Sequence, residues 1–265
     1  VGYYGKRPAI IVPTAASSDA PCSRLSVVYT DSGQFDHYLP LPENPRMVLM
    51  DTELISKAPV RFLTAGIGDA FATYYEAAAC VQSNAVTMTG GHATNAAFAL
   101  ATLCHDSLLA DGVKAVSAVR LGLRTKAAEN IIETNTLLSG LGFESCGLAA
   151  AHSIHDGLTA IPETHSYLHG EKVAYGTLAQ MIMEDRPLEE LAEVYRFFRA
   201  VGLPTNFAGI GIHDVTDEQL LHVGELACSP QDTMANMPFE VTPADVANAL
   251  RAADALDKEF SVDSH

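Results

Sequence analysis

Positive charge is scarce in this chain. Its 265 residues include sixteen Lys and Arg against thirty-two Asp and Glu, a formal net charge of −16. Charge of that sign repels phosphate backbones and anionic headgroups, which argues against nucleic-acid and membrane-surface roles. Long apolar runs are missing too, since no stretch approaches the roughly 20 uninterrupted residues that cross a bilayer. Cysteine is limited to positions 22, 80, 104, 146 and 228, an odd number with no CxxC pair. Neither a disulfide framework nor a thiolate zinc site is expected, and a reducing cytoplasmic interior is the better setting. The opening residues lack both an initiator methionine and the apolar core of a signal peptide, so the expectation is a processed chain or part of a longer protein.

What remains is a strongly apolar chain. Hydrophobic residues make up 48 % and charged residues 18 %, enough to bury a substantial core in one large or two small domains. Two regions differ in pattern, without internal repeats. Residues 8–12 form a short apolar run stopped by Pro13 and read as a buried strand. Residues 25–30 and 34–41 flank the turn signal Asp31-Ser32-Gly33 and read as a hairpin, with a further strand at 47–50. From about residue 58 the apolar residues recur three and four apart among many alanines, which predicts helices. Their expected spans are 68–82, 91–110, 113–138, 145–158, 169–184, 187–201, 217–228 and 243–259. Ala110-Asp111-Gly112, Gly140-Leu141-Gly142 and Gly202-Leu203-Pro204 are taken as stops between them. The expected division is a strand-containing segment at 1–57 and an all-helical domain at 58–265.

Ten histidines carry the chemical signal. His152 and His155 stand three apart in Ala151-His152-Ser153-Ile154-His155-Asp156-Gly157, on one face of an apolar helix. His165 and His169 follow in a second patch that opens the next helix. Alone, these read equally well as satisfied core histidines. Asp69 adds weight because it lies in the mainly apolar stretch 65–75, where an unpaired buried carboxylate costs several kcal/mol. It must be neutral, paired or bound to a cation, unless it simply caps the helix start. A divalent metal held by Asp69, His152 and His169 satisfies all three groups and leaves a position open for substrate.

With those residues in place, the chain resembles glycerol dehydrogenase, within the metal-dependent polyol and alcohol dehydrogenase superfamily. The segments that carry the match are 13–23, Gly66-Ile67-Gly68-Asp69-Ala70, 142–159 and His169-Gly170-Glu171-Lys172-Val173-Ala174. The resemblance implies a dehydroquinate synthase-like or glycerol dehydrogenase-like fold: an α/β remnant of a nucleotide-binding domain, then an all-α metal-binding domain. It implies that Asp69, His152 and His169 hold zinc, one ion per chain, and touch the substrate. It places Asp19 beside the glycerol, and Thr14, Ser17, Ser23, Leu25 and Tyr29 against the nicotinamide nucleotide of NAD. His155 matches a position near the reaction centre, as a proton relay or as a structural histidine. The superfamily's iron enzymes resemble Asp-x-x-x-His at the first ligand helix, whereas this chain has Thr73 there, so the site looks three-liganded and zinc-like. Glu171 and Lys172 are expected to hold the turn at His169, and His92, His105, His165, His213 and His222 to be structural.

The implied activity is NAD-dependent oxidation of glycerol to dihydroxyacetone by a homo-oligomeric cytoplasmic enzyme. Neither Gly90-Gly91 nor Gly209–Gly211 makes a G-x-G-x-x-G turn, and the glycine-rich pyrophosphate grip of the family is not found in this sequence. Two alternatives therefore stand beside that reading. One is a metal-binding or oligomer-forming remnant without dehydrogenase activity; the other is a dehydrogenase for another small vicinal diol. An exposed edge and an uncovered apolar face are expected at the strand 8–12.

Overall fold

The computed structural model describes residues 2–262. Its strands are short and lie in the first fifth of the chain. β1 (Ile10–Ile11) pairs in parallel with β4 (Met47–Val48), Ile10 opposite Met47 and Ile11 opposite Val48. Between them β2 (Leu25–Tyr29) and β3 (Phe35–Pro40) form the expected antiparallel hairpin, in register Leu25↔Pro40 with an irregularity at Val28/Tyr29. Gly33 takes the positive φ that the turn needs. Ile10, Val12, Met47 and Leu49 remain exposed, as expected for a strand pair with one uncovered face.

Apart from one-turn helices at Gly2–Gly5 and Thr52–Ile55, the α-helices are α1 (Val60–Ser83), α2 (Asn95–Val119), α3 (Lys126–Glu133), α4 (Ser139–Cys146), α5 (Ala150–Leu158), α6 (His169–Met183), α7 (Leu188–Val201), α8 (Asp217–Ala227) and α9 (Pro243–Val262). α1 is buried almost all round from Leu63 to Cys80 and is central, packed by α2, α4 and α6. Phe71 on α1 stacks on Phe197 and meets Phe198 edge-on, with centroids 5.4 and 5.0 Å away. His105 closes the same aromatic cluster 4.7 Å from Tyr74, a structural role. By length and composition α2 is the one helix among the described residues that could cross a bilayer, yet it carries Asp106, Asp111 and Lys114 and packs on α1, α3 and α4.

Two of the three expected stops are not stops. Helix α2 runs straight through Ala110-Asp111-Gly112, because Gly112 is buried against Phe197, where a Cβ would meet the ring at 2.9 Å. Gly140 and Gly142 likewise lie inside α4, facing Cys22 and Thr73. These glycines permit close packing, and their signal in sequence resembles that of a terminator. The real break before α5 is Gly147, with φ +115°. Gly202 does end α7, in the left-handed conformation. α1 also starts eight residues earlier than expected, directly after Pro59. Between α3 and α4 the helix widens to a π turn at Thr134–Leu138, which turns both Asn135 and Ser139 toward the segment 16–19.

Candidate metal centre and cleft

Gly68 and Gly170 let α1 and α6 touch through their backbones. A Cβ on Gly68 would lie 2.3 Å from the Gly170 carbonyl oxygen, and one on Gly170 only 1.8 Å from that of Ala65. This approach sets Asp69 beside His169, the first residue of α6. Glu171 fixes that first turn: its carboxylate accepts the Leu168 N–H at 2.7 Å and both nitrogens of an Arg61 fork at 2.6 and 2.7 Å. α5 supplies His152 from the other side.

Asp69 is fully buried, and its Oδ1 lies 3.0 Å from His169 Nε2 and 3.4 Å from His152 Nε2. Despite those distances, Oδ1 has no hydrogen-bond partner, because neither ring aims an N–H at it. A tetrahedral metal with bonds of about 2.1 Å sets its donors about 3.4 Å apart. The three donors lie within 4.8 Å of one another, and the 3.0 and 3.4 Å from Asp69 Oδ1 to the two imidazole nitrogens come close to the separation such an ion sets. An orphaned buried oxygen facing two imidazole nitrogens fits a divalent cation on the chemistry of the donors alone. Burial works against ionising Asp69, but the neighbouring His169 and His152 outweigh it and hold the carboxyl well below its ordinary range.

The second oxygen of Asp69, Oδ2, accepts the backbone N–H of Asp19 at 3.1 Å. Asp19 is itself buried, and its Oδ2 accepts from Ser139 Oγ at 2.6 Å. Burial and the adjacent Asp69 push its pKa well above the usual carboxylate value. His155 lies behind His169, with Nε2 3.1 Å from His169 Nδ1 and Nδ1 2.8 Å from Asp156 Oδ1. Burial and then His169 lower its pKa strongly. Asp156 accepts in turn from the Tyr38 hydroxyl at 2.7 Å, and burial raises its carboxyl to about 6. The hairpin is thereby latched onto α5, with Phe35 N–H donating to Thr159 as a second tie.

A cleft of about 590 Å³ opens beside these groups. Asp19, His152 and His169 line its floor, and Ser23, Leu25 and Tyr29 line its wall. Thr14 is exposed and Ser17 half-buried, and neither borders the cleft. Thr73 donates to Ser139 Oγ at 2.8 Å, whose own proton goes to Asp19. Sequence reasoning overlooked Glu76, Ser139, Asp156 and Tyr38. Glu76 carried a readable signal, the same one as Asp69: a carboxylate in an apolar helix, seven residues and two turns further along the same face.

No family profile matches the chain. Individual proteins do. It is 50 % identical to a glycerol dehydrogenase of Citrobacter freundii over 260 residues, covering 98 % of this chain and 71 % of that one. With a glycerol dehydrogenase of Thermotoga maritima it shares 55 % over 254 residues, 96 % of this chain and 70 % of the relative. The crystal structure of glycerol dehydrogenase from Schizosaccharomyces pombe superposes with a TM-score of 0.97 at 43 % identity, over 99 % of this chain and 67 % of that one.

Proposed function

Since these likenesses make the chain a member of the glycerol dehydrogenase family, we propose that it oxidises glycerol to dihydroxyacetone with NAD and one zinc ion per chain. The observation that carries the metal part of this reading is the buried, partnerless Asp69 Oδ1 between two imidazole nitrogens. Asp69, His152 and His169 would hold the ion. When bound, zinc supplies Lewis acidity to adjacent substrate hydroxyls, and NAD supplies the hydride acceptor that no side chain provides.

The chain's own groups do the rest. Asp19 is tied to Asp69 through its backbone and borders the cleft, so it sits where a substrate hydroxyl would lie. A carboxylate whose pKa is raised by burial and a neighbouring carboxylate is a better proton acceptor than an ordinary one. The hydroxyl proton leaves through Asp19, through His155, or to water. Thr14, Ser17, Ser23, Leu25 and Tyr29 are assigned to the nicotinamide nucleotide, with three of the five already on the cleft wall. A homo-oligomer in the cytoplasm, dividing at 57/58 into a nucleotide-side segment and a metal-binding domain, completes the proposal.

The test is nicotinamide reduction by the zinc-loaded chain with glycerol in excess. Turnover that vanishes in Asp69→Ala supports the whole reading. Tight stoichiometric zinc in Asp69→Ala sinks the ligand assignment, and zinc binding without turnover or NAD affinity leaves a metal-binding protein that is not a dehydrogenase.

A further inference from the structure

Beneath the proposed zinc site lies a carboxylate that no part of the reaction uses. Glu76, on α1, is fully buried, yet both of its oxygens are engaged. Oε1 accepts the backbone N–H groups of Ala149 and His152 at 2.9 and 3.0 Å, at the start of α5. Oε2 lies 2.6 Å from His152 Nδ1. An ionised carboxylate only accepts, so the imidazole must donate from Nδ1. That leaves the lone pair of His152 on Nε2, the nitrogen that faces Asp69.

We infer that Glu76 is the positioning residue of the metal centre, fixing His152 as the Nδ1–H tautomer and aiming its Nε2 at the ion. The inference rests on the zinc reading given above. Geometry gives Glu76 three functions through one side chain. It caps the first turn of α5, it sets the rotation of the His152 ring, and it raises the basicity of the ligating nitrogen. The second histidine is supported differently. His169 Nδ1 meets His155 Nε2, and the carboxylate beyond that second ring, Asp156, acts on His169 only through it. The two imidazoles are therefore unequal ligands, with His152 the more strongly donating and the more rigidly held.

Glu76→Gln tests this directly. The amide oxygen can still accept the Ala149 and His152 N–H bonds, but the NH₂ group then faces Nδ1 as a donor. That reversal drives the ring proton to Nε2 and blocks the ligating lone pair. Zinc affinity, measured by competition with a chromogenic chelator, is expected to weaken about 10- to 100-fold. Glu76→Asp, which keeps the charge on a shorter stem, is expected to fall between the two. Native affinity in Glu76→Gln overturns the inference. Asp69→Asn, run alongside, separates the failures: zinc retained there defeats the metal site itself, whereas zinc lost there but kept in Glu76→Gln defeats only the role of Glu76. Should Glu76→Gln not fold, the imidazole ¹⁵N–¹H spectrum of the zinc-loaded native chain decides. A proton on His152 Nδ1 supports the inference, and a proton on Nε2 refutes it.

Discussion

Gly68→Ala puts the helix contact that builds the site to a quantitative test. The added Cβ would start 2.3 Å from the Gly170 carbonyl oxygen, whereas real Cβ contacts essentially never fall under 3.0 Å. The opposing atom is backbone and cannot rotate away, so α6 must retreat by about 0.7 Å, several times the roughly 0.2 Å tolerance of a metal–ligand bond. His169 is the neighbour of Gly170 and moves with it. Fold stability changes far less. Overpacking costs about 1–3 kcal/mol, and replacing a helical glycine by alanine returns about 1 kcal/mol. The expected outcome is a zinc-free variant within about 2 kcal/mol of the native chain in urea unfolding, with zinc affinity at least about tenfold weaker. Native zinc affinity in a folded Gly68→Ala would refute the claim that backbone contact between α1 and α6 sets the ligand geometry. Equal losses of stability and affinity would mean that the contact serves the fold and only incidentally the site.

Other expectations follow from the buried polar groups. Asp232, hydrogen-bonded to Ser153 Oγ and Thr233 N–H, is raised to about 7 by burial and by Asp156. A carboxyl raised in the folded state binds protons that the unfolded chain has released, so it lowers stability as pH rises from about 4 to about 7. In the zinc-free protein Asp232→Asn is expected to remove that decline, up to about 1.4 kcal/mol per pH unit across the window. Unfolding free energies of both proteins at several pH values check this, and parallel curves would sink it. Tyr38→Phe strips the hydroxyl from Asp156 Oδ2 and is expected to cost about 1–3 kcal/mol of stability in urea. Because that hydrogen bond lowers the Asp156 pKa, its loss is also expected to move the carboxyl's titration above pH 6, read by carboxyl ¹³C shifts. Ser139→Ala removes the hydrogen bond that restrains Asp19 and is expected to shift the acidic limb of kcat/KM to higher pH; an unmoved limb would separate Asp19 from proton transfer.

Much of this was legible from the residues alone. The hairpin declared itself through β-branched and aromatic residues around Asp31-Ser32-Gly33, and its observed register follows that turn. Asp69 stood out because a carboxylate in an apolar helix needs a partner, and the structure sets two imidazoles beside it without a hydrogen bond to its Oδ1. The glycines were harder. Gly112, Gly140 and Gly142 permit close packing, and a single sequence does not distinguish that from chain termination. The π turn at Thr134–Leu138 was invisible, since its local composition is ordinary for a helix and the carbonyls that its Asn135 binds belong to Ala16 and Leu63. Those partners lie 119 and 72 residues away. Ser139 and Tyr38 were missed for the same reason: their hydrogen bonds join segments far apart in the chain.

The three candidate ligands differ in their access to water. The side chain of Asp69 is 0 % exposed, that of His152 9 % and that of His169 30 %. An ion held there would enter and leave past His169, by the same cleft proposed for the substrate. Arrival order would then acquire a kinetic meaning, because a filled cleft would act as a cork above the ion. Chelators would then strip the metal from a resting protein far faster than from a working one, and scarcity of metal would tell first on molecules idle for want of substrate.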